Sequence, residues 1–403
     1  MEISRKILIS ILAFSVCGVY AQIPQPIKQF MRSDKMQGAS FSFQARDIEN
    51  GEIVYAYDPD RVLTPASVMK LFTTATALEL LGEETCFPTT LQYDGELNDG
   101  VLYGNLYIKG SGDPTLGSAH FSPDRATYMY DQNNFMPEWV FAIRAAGIRK
   151  ITGSVIADES IFDTEGISPK WLMEDLGSYY GAGSYGLSVF DNILKIYLAT
   201  GPPGRSPVLT GTEPAIASLR FHNYLVSSRT TGDSSLVVGF PYADDRFLYG
   251  TVPPNREKYL LRGDIPDPPL FLAQYLYESL TEDGVEIQGK ATNYRLLSLA
   301  GQWNPTKRTE IVTTYSPPLT EILQIINEQS HNLFADALIK MLGLSYKPKQ
   351  GEVLSSFGKG SRVVENYWRS KGLDMHALHM VDGSGLSVTN KLSAGITCAL
   401  LYY

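Results

Sequence analysis

Cysteine is scarce in this chain, with three in 403 residues. Cys17 lies in an apolar N-terminal stretch. Cys86 and Cys398 do not make a disulfide framework, so stability must come from a core. Without a cysteine cluster, zinc is not expected. Histidine is nearly as rare, at five. His376 and His379 share a helix face by spacing, but no Glu sits between them and no third ligand suggests itself. No metal and no other cofactor is therefore expected. A basic excess is missing too. The formal net charge of −9, with no basic block, argues against nucleic acid as a partner. The only sizeable apolar run is N-terminal. Ile7–Val16, behind Arg5 and Lys6, is too short to cross a bilayer comfortably. Val19-Tyr20-Ala21 offers a small-residue end for cleavage before Gln22, so residues 1–21 read as a signal peptide of an exported protein.

What is present suits a globular protein of two or more domains, with 44% hydrophobic residues. Residues 38–57 predict a hairpin. Phe41 and Phe43 alternate with polar neighbours, and Asn50-Gly51 is a strong turn signal. Thr64-Pro65 reads as an N-cap followed by Pro at the first helical position. Leu71, Ala75, Leu78 and Leu81 then form an apolar stripe that Gly82 ends. From about 88 to about 312 the texture changes to Gly, Tyr and short strands, with turn signals such as Asp99-Gly100 and Pro-rich loops. Asn105–Lys109 and Ile151–Ala157 predict strands, and Pro137–Ala146 a helix. Helical spacing returns at Leu319–Asn327 and again at Asn332–Leu342, where Ser330 is the expected cap.

The candidate chemistry begins at Ser67-Val-Met-Lys70. Residues three apart share a helix face. A serine hydroxyl needs a base within hydrogen-bond reach, and a lysine serves once burial lowers its affinity for a proton. The free amides of a helix start can also hold a developing oxyanion. Ser330-His331-Asn332 opens the later helix. Either motif alone is weak. Ser356-Phe-Gly-Lys359 is a second copy of the first, read here as a loop. Gly110-Ser-Gly-Asp113 lacks what a phosphate loop needs and reads as a turn.

Ser-x-x-Lys and Ser-x-Asn in this order form two of the three motifs of penicillin-binding proteins and class A β-lactamases. Five further segments sharpen the match. They are Tyr107–Leu116, Trp171–Asp175, Tyr179–Gly183, Ser316–Leu319 and Asp382-Gly-Ser-Gly-Leu-Ser387. With these the chain closely resembles the D-alanyl-D-alanine carboxypeptidase/endopeptidase family, the class C low-molecular-mass penicillin-binding proteins. The resemblance implies an α/β fold. A penicillin-recognising, transpeptidase-like domain (residues 22–87 plus 313–403) would be split by large strand-rich accessory domains (88–312). It implies Ser67 as acylated nucleophile, Lys70 as general base, Ser330 as proton relay and Asn332 as a holder of the substrate amide. Peptidoglycan peptides would be substrates, β-lactams covalent inhibitors and the periplasm the location. By motif, Asp175 and Tyr180 would read a diamino acid, and Lys391 would partly substitute for an arginine found in relatives.

One part of the pattern is missing. No Lys-Thr-Gly or His-Thr-Gly follows Asp382–Ser387, and Arg229-Thr-Thr-Gly232 lies in the wrong order. The chain therefore reads as C-terminally truncated, lacking strands of the main sheet. The hairpin edge would be left unpaired and Leu400–Tyr403 would have nothing to pack on. The enzyme reading competes with a defective relative that binds peptidoglycan without turnover, and with a β-lactamase, for which no deacylating base is evident.

Overall fold

The computed structural model describes residues 23–121 and 135–403. The expected signal peptide and Cys17 lie outside them. Along the described chain run α1 (Gln25–Met31), α2 (Lys70–Leu81), α3 (Phe135–Ala145), α4 (Pro268–Glu282), α5 (Tyr294–Leu299), α6 (Leu319–Gln329), α7 (Asn332–Gly343), α8 (Ser356–Ser370) and α9 (Ala394–Tyr402). No helix among the described residues is long and apolar enough to cross a membrane. The chain divides into two compact units, one comprising the chain up to Leu63 with Ser393–Tyr403, the other Thr64–Leu392.

In the first unit, strands Phe43–Arg46 and Ile53–Tyr57 pair antiparallel as a two-stranded sheet. Gly51 turns between them at φ +75°, a conformation glycine adopts without steric cost. A Cβ there would run into the Tyr402 ring of α9. Arg46 stacks on the same ring at 5.2 Å, the Gly395 amide donates to Pro59 O at 2.8 Å, and Leu400 is buried. Leu400 and Tyr402 thus pack within this unit, contrary to the sequence expectation, whereas Leu401 and Tyr403 are 64% and 56% exposed, in line with it.

In the second unit, α7 is buried along nearly its whole length. Leu333, Phe334, Ala335 and Leu338 pack with Ile322 and Ile326 of α6, Ala77 of α2, and Phe87. The α7–α8 contact is close because position 360 is glycine, where a Cβ would strike the Ile339 carbonyl. The stripe expected on α2 is not the buried face. Leu78 is 43% exposed, whereas Lys70, Phe72, Thr73, Thr76 and Ala77 are buried. Threonine hydroxyls there find partners. Thr76 donates to Phe72 O at 2.6 Å and accepts from Trp368 Nε1 at 2.8 Å. Hydrogen bonding lets a polar face go inside.

The strand-rich segment leaves and returns at one place. Pro88–Tyr93 pairs antiparallel with Thr309–Tyr315, and Phe87 and Ser316 are joined by hydrogen bonds of 2.8 and 3.0 Å. These strands belong to a five-stranded sheet ordered Ala291–Asn293, Val155–Asp158, Leu106–Lys109, Pro88–Tyr93, Thr309–Tyr315. Trp139 and Ile143 of α3 and Leu272 and Leu276 of α4 share one buried cluster with Leu91 and Ile108 of that sheet. The strand expected at Ile151–Ala157 is two strands. Lys150–Ile151 joins a separate four-stranded sheet, and Val155–Asp158 joins the five-stranded one. Gly153 sits between them, its amide on Gly104 O at 2.9 Å.

Candidate active site

Ser67 does not lie on an α-helical turn capped by Thr64. Residues Ala66–Met69 form a 3₁₀ turn, and α2 begins at Lys70. Thr64 instead donates its hydroxyl to Val388 O at 3.2 Å. Ala66 has φ +46°, unusual for a residue with a Cβ and a form of local strain found at functional sites. Gly385, at φ +81°, lies against the Ala66 carbonyl, where a Cβ would clash. The tight turn and the Asp382–Ser387 loop therefore brace each other.

Lys70 Nζ sits 3.1 Å from Ser67 Oγ, 2.6 Å from Asn332 Oδ1 and 2.7 Å from Ser384 O. The last two are carbonyl oxygens and can only accept. When the amine is neutral, its two protons go to them and its lone pair is left for the Ser67 hydroxyl. Burial pulls Lys70 down from the ordinary 10.5 to about 8, against the opposing charges of Asp336 and Asp382. A base with that affinity is matched to work near neutral pH.

Ser330 reaches Ser67 from the other side, with 2.8 Å between the hydroxyl oxygens. It is not the cap of α7. It ends α6 in the left-handed conformation at φ +58°, and His331 caps α7 by accepting the Phe334 amide at Nδ1, 3.4 Å away. The left-handed residue turns the chain sharply enough to bring Ser330 and Asn332 to the same side. Asn332 Nδ2 donates to Tyr180 O at 2.9 Å, which fixes its amide with Oδ1 toward Lys70. The four residues singled out from the two motifs are thus joined by hydrogen bonds, Ser67 to Lys70 and Ser330, and Lys70 to Asn332.

Three supports were not assigned by sequence reasoning. Asp336 of α7 accepts the amides of Gly383 and Ser384 at 2.8 and 2.9 Å, so it aims Ser384 O at Lys70. Its burial, with Asp382 nearby, raises its carboxyl above the usual range. Asp382 accepts from Gly385 N, Ser387 N, Asn390 Nδ2 and Trp171 Nε1 at 2.7–2.8 Å. Thr73 donates to Gly383 O at 2.7 Å. The signal available in sequence was a buried-type Asp heading a Gly-Ser-Gly turn, but its partners at 171 and 390 are not readable from spacing.

The remaining candidates sit at the margin. Asp175 is buried, which raises its carboxyl, and the Tyr180 side chain hydrogen-bonds to it. Lys391 Nζ donates to Thr64 Oγ1, Val388 O and Asn390 O at 2.8–3.2 Å, so its protons are already engaged. The second Ser-x-x-Lys copy is not a loop. Ser355 caps α8 through the Gly358 amide, and buried Ser356 accepts the Asp163 amide at 3.3 Å.

The chain is 26% identical over 387 residues to a D-alanyl-D-alanine carboxypeptidase of Actinomadura sp., covering 94% of this chain and 67% of that one. The fold matches penicillin binding protein 4 of Haemophilus influenzae with TM-score 0.72 and 22% identity, covering 89% of this chain and 74% of the other. A second structure of that protein, complexed with a β-lactam, matches with TM-score 0.67 and 20% identity over 90% of this chain and 74% of the other. The profile of the D-Ala-D-Ala carboxypeptidase 3 (S13) family matches residues 24–403, and the chain belongs to that family of peptidases.

Proposed function

We propose that this protein is a serine-type D,D-peptidase of the periplasm. It would remove D-Ala from peptidoglycan stem peptides, or cut D-Ala cross-bridges, through an acyl-enzyme on Ser67. The observation that carries the proposal is the pair of contacts at Ser67 Oγ, to a lysine whose affinity for a proton is lowered by burial and to a second hydroxyl. Lys70 takes the Ser67 proton as Oγ attacks the peptide carbonyl. Ser330 passes a proton to the departing amine, and water then releases the acyl group. Residues 88–312 would form the accessory insertion. The adjacent crossing strands at Pro88 and Tyr315 support that boundary.

The test is labelling by a fluorescent penicillin, read after denaturing electrophoresis. A covalent band is expected for the wild type and none for Ser67→Ala. A band that persists in Ser67→Ala sinks the assignment. No band on a wild-type chain that still binds stem peptide would favour the defective-relative reading. Rapid turnover of the penicillin would favour the lactamase reading.

Asp175 and Tyr180 are proposed to read the diamino acid of the substrate. Tyr180 is tied to Asn332 through its carbonyl, so a ligand at Asp175 would lie beside the reacting centre. Asp175→Asn is expected to raise KM for a peptide carrying a free diamino-acid amine by about tenfold, with kcat little changed, as for one lost charge-assisted bond. An unchanged KM removes Asp175 from recognition. Lys391 would meet a substrate carboxylate only by exchanging its present partners.

A further inference from the structure

We propose that His120, Asp191 and His331 form a binding site for a divalent cation of the zinc class, behind the loop that carries Ser330 and Asn332. The three come from separate elements of one unit: the short turn Ala119–Phe121, the turn Phe190–Asn192 and the N-terminus of α7. One potential ligand atom from each lies within 4.8 Å of the other two. His331 Nε2 is 3.8 Å from Asp191 Oδ1, and the His120 and His331 rings meet edge to face with centroids 5.0 Å apart. Bonds of about 2.0–2.1 Å set tetrahedral ligand atoms about 3.4 Å apart, so a cation would draw the three inward by up to about 0.8 Å each.

The second observation is at Asp191. It is only 5% exposed, Ser118 and the Ala119 amide hydrogen-bond to its carboxylate, and Oδ1 has no hydrogen-bond partner among the described residues. A buried carboxylate oxygen facing two imidazoles without a cation is costly. The backbone delivers it there deliberately, with Phe190, Asp191 and Asn192 all at φ between +52° and +56°. Two imidazoles and one carboxylate are a donor set that suits zinc, with water completing a tetrahedron.

Binding has one internal cost. With Nδ1 accepting the Phe334 amide, the neutral ring carries its proton on Nε2. Coordination through Nε2 moves that proton to Nδ1 and gives up a cap whose 3.4 Å length already marks it as weak. What is gained is a cross-link. His331 stands between Ser330 and Asn332, so a cation would pin that loop to the turns at 120 and 191. The inference does not rest on the peptidase reading, and its test reads metal content and stability.

The full chain is stripped with a chelator and titrated with Zn²⁺ alone, then with Co²⁺ for its visible spectrum. About one zinc per chain is expected to survive gel filtration, with a tetrahedral cobalt spectrum and an unfolding midpoint raised by several degrees. Asp191→Asn and His120→Ala should each weaken binding at least about tenfold and abolish the rise. Without metal, Asp191→Asn should melt at or above the wild type, because it removes a buried negative charge with one unbonded oxygen; that measurement shows the variant folds. A wild type that retains no zinc overturns the proposal. So does a variant pair that binds as well as the wild type.

Discussion

Lys70→Ala is expected to slow acylation by labelled penicillin about 10²–10⁴-fold while the chain still folds. The loss follows from geometry. Ser67 Oγ has Lys70 Nζ and Ser330 Oγ as neighbours, and a serine hydroxyl cannot draw off the first one's proton. Folding should survive because two effects oppose. Removing the amine leaves Asn332 Oδ1 and Ser384 O without their donor, but it also relieves the burial of a cation.

The same lysine sets a pH dependence with a definite sign. Its folded value, about 8, lies below the ordinary 10.5. The unfolded chain therefore binds more protons between these values, and this group's contribution to stability rises with pH across that window. Below about 8 the full penalty of a buried ammonium is present. Activity follows the free amine. The wild-type acylation rate should climb roughly tenfold per pH unit below 8 and level off above it. A flat profile, or Lys70→Ala acylating at the wild-type rate, would remove Lys70 as base.

Asp382→Ala is expected to be the most destabilising of the substitutions considered. The buried carboxylate gathers four donors, two amides and a side-chain amide of its own loop and the indole of Trp171 from another segment. Alanine leaves each of them buried without an acceptor. At about 1–3 kcal/mol apiece the loss should be at least about 4 kcal/mol, even after water enters. The effect should also reach the chemistry. Asp382 shapes the turn that presents Ser384 O to Lys70 and lays Gly385 on Ala66. Chemical denaturation should show the shift in midpoint, and residual folded protein should acylate slowly. A variant within about 1 kcal/mol of the wild type would show that the loop is held by other contacts.

Local spacing carried much of the architecture. The hairpin around Asn50-Gly51, the hairpin turn at Asp99-Gly100 and the helices after 319 and 332 are written in patterns a few residues long. Ser67 and Lys70 are likewise three positions apart, so one turn of chain brings them together wherever it is placed. Where the reading failed, a distant partner had overridden a local preference. On α2 the threonine face was buried because Gly383 and Trp368 offer hydrogen bonds to it. Thr64 gave up capping for Val388, and Ser330 left the cap to His331 so that it could face Ser67.

The sequence by itself determined the pieces: a serine and a lysine on one turn, a serine and an asparagine at a later helix start, and a change of texture between them. Only the tertiary structure decided that these two places share a crevice, that Asp336 and Asp382 aim a carbonyl at the lysine, and that two of five histidines converge on a buried aspartate. The physical reason is chain connectivity. Neighbours along the chain meet through a few fixed bonds and leave a period in the sequence, whereas groups from remote segments meet only after the core has packed, and leave none.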